Sequence, residues 1–231
     1  HGKEMNDENQ NIIVYQIKPE QLEYMGHVRD EKIVSPNDVI ITAKGDFYIT
    51  NDARDRGSLW DIYWRREIST VVFCNLEIDS EKISKKFCKV AAENLALPNS
   101  LAIQGNKMYV STTRQNKIFE YDIEAGGELS NQRAVAEGVG FDNLSWSNIE
   151  TGSGMLLTAE HASDWKFFRH VSSSENIAPS LVSMIDITTS EKKVLYANEG
   201  SEISAASGAI IFKNILYISQ VFDDFILACK L

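Results

Sequence analysis

An all-β architecture built as a radial repeat, a β-propeller, is what this sequence predicts, and three patterns carry that expectation. Val, Ile, Tyr and Phe alternate with polar residues at period 2, broken by Gly, Asn and Asp, and no 3.6-residue apolar period is sustained over the 231 residues. A single phrase recurs four times: a small or polar turn, a short apolar strand, a Gly or Asn turn, and a second apolar strand. Asn37 and Asn99 lie 62 residues apart and Asn99 and Asn143 lie 44 apart, which brackets a propeller blade of about 40 to 50 residues.

In chain order, a first strand falls at 11–17 (NIIVYQI). The first phrase, PNDVIITAKGDFYITN from Pro36, supplies strands 38–43 and 46–50, with Gly45 at the turn. The insertion RDRGSLWDIYWRREI follows, and then strands 69–76 and 86–91 complete a group of four. PNSLAIQGNKMYVST from Pro98 gives 100–104 and 107–112, extended by 116–122 and 132–137. DNLSWSNIETGSGMLLTA from Asp142 gives 144–148 and 154–159; after the insertion KFFRHVSSSENIAP come 180–187 and 192–196. ASGAIIFKNILYIS from Ala206 gives 208–212 and 214–219, followed by 224–229. Four strands per group is the natural parse, with residues 1–231 forming a single domain. The first strand of each propeller blade lines the central channel, so Asn37, Asn99 and Asn143, at the heads of three phrases, are expected to converge near one axis.

Composition narrows the partners. Twenty-three Lys and Arg against 33 Asp and Glu leave a formal charge of −10, which repels phosphate backbones and favours cations, so nucleic acid is not an expected partner. No apolar run reaches the roughly 20 residues of a membrane-spanning helix. Three cysteines, Cys74, Cys88 and Cys229, make an odd count. Cys74 and Cys88 fall on successive strands of one group, where they form either a cross-strand disulfide or two reduced core thiols.

The phrases SPNDVIITAKGDFYITND, LPNSLAIQGNKMYVSTTRQNKIFEYD, VGFDNLSWSNIETGSGMLLTAEH and GAIIFKNILYISQVFDDFILACKL resemble successive blades of the serum paraoxonase/arylesterase family, in the same order and at similar spacing. That resemblance implies a six-bladed propeller with two calcium ions in its tunnel and activity on lactones, aryl esters and some phosphotriesters. It also implies that about four blades are present, the N-terminal blades being absent from residues 1–231, and that Cys229 takes a disulfide partner from the missing part. Secretion or an endomembrane location would follow from the family.

Site residues follow from the same resemblance. The catalytic calcium would be held by Asn37, Asn99, Asp142 and Asn143 together with an upstream glutamate, and a second, structural calcium would take Asp38. The donor chemistry agrees, because calcium accepts six to eight oxygen ligands and amide and carboxylate oxygens from several blades can surround it. Asn and Asp also favour turns between strands, but their repetition at phrase heads points to ligation. Asp142, His161 and His1 are the expected catalytic groups: His161 (TAEHAS) matches a pocket histidine, and His1 matches one member of the family's histidine dyad. Asp52 matches an aspartate near the family's active site, Ala53 stands where a histidine is frequent, and Leu97 replaces an aromatic pocket residue. Trp60, Trp64, Trp146 and Trp165 are read as blade-core residues, and His27 and His170 as surface residues. The sequon Asn143-Leu144-Ser145 is not expected to carry a glycan, since a channel ligand cannot. The expected function is a calcium-dependent hydrolase of small esters or lactones, in which calcium stabilises the developing oxyanion. The alternatives are a gluconolactonase/strictosidine-synthase-like propeller and a non-catalytic propeller module.

Overall fold

A computed structural model of the chain describes residues 10–53, 66–79, 82–147, 154–173 and 175–231. Seventeen strands and one helix are found among these residues. A two-stranded hairpin, β1 (Ile12–Ile17) and β2 (Leu22–Val28), precedes the first complete sheet. Three four-stranded antiparallel sheets follow, each an up-and-down meander. Blade one comprises β3 (Pro36–Ile41), β4 (Phe47–Asn51), β5 (Ser69–Asp79) and β6 (Lys82–Leu95). Blade two comprises β7 (Pro98–Gln104), β8 (Lys107–Thr112), β9 (Lys117–Ile123) and β10 (Leu129–Glu137). Blade three comprises β11 (Phe141–Trp146), β12 (Met155–Glu160), β13 (Ser180–Asp186) and β14 (Lys192–Asn198). The last sheet has three strands, β15 (Ala206–Phe212), β16 (Ile215–Gln220) and β17 (Leu227–Lys230).

The first strands of these four sheets are mutual neighbours in the order β3, β7, β11, β15, which is the radial arrangement expected from the repeats. Packing explains it. Each blade is apolar on both faces and buries them against the next, so the core is divided into inter-blade layers. Tyr48, Phe73 and Leu95 meet Leu101, Met108 and Phe119 between blades one and two. Tyr109 and Ile118 meet Phe141, Leu156 and Ile185 between two and three. Leu157 and Val182 meet Ile211, Leu216 and Ile218 between three and four.

Two elements depart from the sequence reading. β2 was not anticipated: its apolar residues Leu22, Tyr24 and Met25 sit among Glu23, Gly26 and His27, and its partner β1 lends the order that its own pattern does not announce. The insertion after β12 contains a helix, α1 (Asp164–Ser172), capped at its N-terminus by Ser163, whose Oγ accepts from Lys166 N, and carrying Asp164 in its first turn. At nine residues it is too short to register as sustained periodicity. His170 is a correction: it lies on α1, only 2% exposed, with its ring edge-on to Phe222 at 5.0 Å. His27 is exposed and meets the Tyr24 hydroxyl.

Cys74 and Cys88 face each other across β5 and β6 and are joined by a disulfide, with Cα atoms 4.2 Å apart. Cys229 on β17 forms no disulfide within residues 1–231.

Candidate functional site

The site is assembled by one structural device repeated four times. In every blade the first strand slips register against the second immediately after its opening residue: between Pro36 and Val39, Pro98 and Leu101, Phe141 and Leu144, and Ala206 and Gly208. Such a bulge inserts one extra residue and re-aims the side chains around it. The bulged positions are Asn37–Asp38, Asn99–Ser100, Asp142–Asn143 and Ser207, so the structure aligns Asp142, rather than Asn143, with Asn37 and Asn99. The repeat reading had matched Asn to Asn, and a one-residue shift in the strand pairing corrects it.

Hydroxyl groups tie the first two bulges to the next blade. Asp38 N donates to Thr50 Oγ1 (2.9 Å), which donates to the carbonyl of Asn99 (2.8 Å). Ser100 N donates to Ser111 Oγ (2.9 Å), which donates to the carbonyl of Asp142 (2.7 Å). Sequence reasoning missed Thr50 and Ser111, although the signal was present in the repeated triplets Tyr48-Ile49-Thr50, Tyr109-Val110-Ser111 and Tyr217-Ile218-Ser219.

Two amides of the ring, those of Asn37 and Asn143, are committed through nitrogen. Asn37 Nδ2 donates to Asp52 Oδ2 at 3.3 Å. Asn143 Nδ2 donates to the Ser207 carbonyl at 2.9 Å and contacts its hydroxyl at 3.0 Å, so the nitrogen a glycan would need is occupied. Asn99 Oδ1 is buried with no hydrogen-bond partner. An amide that spends its N–H groups on protein keeps its oxygen for something else, and an orphaned buried oxygen is an acceptor awaiting a cation or a donor. Asn37, Asn99 and Asn143 therefore suit an oxygen-seeking cation such as calcium. Asp38 is differently placed: Oδ2 accepts from Ser100 Oγ (2.7 Å) and Leu101 N (2.8 Å), and Oδ1 from Val39 N (2.8 Å). Its carboxylate straps blade one to blade two. Among the described residues, no cluster of three or more His, Cys, Asp or Glu side chains forms a metal-binding group.

Asp142 is 4% exposed and His161 7%. Asp142 Oδ2 lies 3.0 Å from His161 Nε2. A carboxylate can only accept, so Nε2 carries a proton, and the other ring nitrogen, Nδ1, is buried without a protein partner. Phe167 stacks on the His161 ring with centroids 4.0 Å apart and planes inclined by 32°. Backbone geometry fixes the pair: Gly140, at φ +56°, accepts His161 N at 2.9 Å, and a Cβ at Gly140 would come within 2.7 Å of the His161 carbonyl oxygen. His161 occupies in blade three the position that Asp52 holds in blade one, since each follows the second strand's last residue. Asp52 itself also accepts from Ser35 Oγ.

Of the other predicted residues, His1, Trp60 and Trp64 lie outside the described residues. Trp146 is a structural donor, with Nε1 to the Ile103 carbonyl at 3.0 Å. Trp165 is 72% exposed on α1 and does not belong to a blade core.

Four radially packed sheets with a bulge at the head of each first strand define a β-propeller, and Asn37, Asn99 and Asp142 occupy equivalent bulged positions in it. The fold agrees with solved propeller structures: a luciferin-regenerating enzyme (TM-score 0.55, 18% identity, 91% of this chain and 63% of that one) and a protein described as a gluconolactonase (TM-score 0.53, 17% identity, 89% and 62%). The chain matches the arylesterase family over residues 3–231 and belongs to it. Human serum paraoxonase/arylesterase 1 is 26% identical over 95% of the chain, and human serum paraoxonase/lactonase 3 is 23% identical over 95%. The chain spans about 60% of the length of each of these relatives.

Proposed function

We propose that the protein to which this chain belongs is a calcium-dependent hydrolase of small esters or lactones, with its site at the bulged ends of the inner strands. The observation that carries this reading is the pairing of spare amide oxygens with a buried Asp142–His161 couple whose Nδ1 is unpartnered. Asn37, Asn99, Asp142 and Asn143 would hold calcium. When bound, the cation supplies a Lewis acid that polarises a carbonyl oxygen. Asp142 holds His161 in the tautomer that leaves Nδ1 basic, and Nδ1 takes a proton from the attacking water. Burial of both side chains lowers the local dielectric and strengthens the pair. The relatives' names, arylesterase and lactonase, support the substrate class.

The substitutions Asp142→Ala and His161→Ala in the intact protein test the assignment. Each is expected to lower kcat on phenyl acetate by about 100-fold or more. Unchanged turnover with a lowered melting temperature would instead make this a non-catalytic propeller whose axial residues only hold the fold together.

A further inference from the structure

The β8–β9 turn of blade two touches both halves of the buried couple. Thr113 Oγ1 donates to the carbonyl of Phe141 at 2.7 Å, the residue before Asp142. Asn116 Oδ1 accepts from Gly140 N at 3.0 Å, on the segment that enters β11 and contacts the His161 backbone. Arg114, between them in sequence, is 7% exposed, and its Nη1 lies 2.5 Å from Asp164 Oδ2 at the start of α1. Helix α1 is an insertion of blade three, so this ion pair crosses a blade boundary.

A guanidinium taken out of water needs a partner, and Asp164 supplies one from α1. Phe167 lies three residues beyond Asp164, on the same side of the helix. Fixing Asp164 therefore fixes Phe167, whose ring covers the face of His161 while Asp142 holds its edge. The imidazole plane is set by both contacts.

We infer that Arg114 and Asp164 form an inter-blade latch that orients His161 through Phe167, making Arg114 a positioning residue for the reaction. The consequence for catalysis rests on His161 acting as the base, whereas the latch itself is a geometric statement that can be read without turnover.

The test uses the intact protein with labelled histidine, comparing Arg114→Ala, Arg114→Lys and the double variant Arg114→Ala/Asp164→Ala at one pH. Phe167 stacking shifts the His161 ring-proton resonance upfield. Arg114→Ala is expected to move it downfield and to lower kcat about tenfold with KM within about twofold, as a displaced catalytic group does. Arg114→Lys, which keeps a charged donor, should restore most of both. The double variant should resemble Arg114→Ala. An unmoved His161 resonance in both alanine variants would overturn the latch. A shifted resonance with full activity in His161→Ala would keep the latch and refute the base assignment.

Discussion

At the scale of single residues, the site depends on backbone positions that tolerate little substitution. Gly140 sits in the left-handed region with the His161 carbonyl oxygen where a Cβ would lie. Gly140→Ala would add both a strained φ and a backbone clash, so it is expected to destabilise the protein by about 1–3 kcal/mol. It should also cut turnover more than that loss of stability explains, because the displaced segment carries Asp142. Thermal unfolding compared with kcat checks this, and loss of stability with kcat unchanged would show that the couple does not depend on Gly140. The placement of Asn37, Asn99, Asp142 and Asn143 at the heads of first strands was legible in advance, because they open repeated phrases. Arg114 and the contact of Asp142 with His161 were not, since each joins segments from different strands or blades and leaves no local signature.

At the scale of elements, the four bulges and the hydroxyl straps bring the ring residues together, and the outer strands stiffen the blades. In blade two, Glu120 on β9 accepts from the Tyr109 hydroxyl at 3.0 Å and from Arg133 Nη2 at 3.1 Å, with Lys107 Nζ at 3.3 Å. Burial opposes its ionisation, but the hydrogen bonds from Tyr109, Arg133 and Lys107 outweigh that and hold its carboxyl below the usual range. A carboxyl depressed in the folded state contributes stability above its unfolded pKa and loses it as pH falls through the folded value. Melting temperature should therefore drop on acidification below about pH 4, and Glu120→Gln should flatten that drop; an unchanged acid limb would remove Glu120 from the account. In blade one the Cys74–Cys88 disulfide closes a loop of 14 residues in sequence separation between β5 and β6. Reduction is expected to cost about 2–3 kcal/mol in chemical denaturation, by freeing the unfolded chain, and an unaltered denaturation midpoint after reduction would contradict that role. The sequence placed these two cysteines on neighbouring strands but left disulfide and free thiols open, because the choice depends on register, which hydrophobic alternation alone does not fix to the residue. The same limit explains why Asn143 was matched to Asn37 and Asn99: only the strand pairing, in which Phe141 takes the place of Pro36 and Pro98, makes Asp142 the equivalent residue.

At the scale of the whole molecule, the radial order of β3, β7, β11 and β15 brings residues up to 170 positions apart, Asn37 and Ser207, onto equivalent places around one axis. That convergence is why repeats, rather than any contiguous motif, made the fold readable. The unpaired faces lie at the two ends of the array, where Ile13 and Ile17 on β1 and Ile210 and Phe212 on β15 are exposed, in positions that inter-blade layers cover elsewhere. The most direct measurement is the rate of phenyl acetate hydrolysis by the intact protein before EGTA, after EGTA, and after calcium is restored. Activity that disappears with the chelator and returns with calcium but not with magnesium, whose stricter octahedral demand suits a ring of amide oxygens poorly, is the predicted result; turnover that persists undiminished in EGTA would contradict a calcium-dependent site.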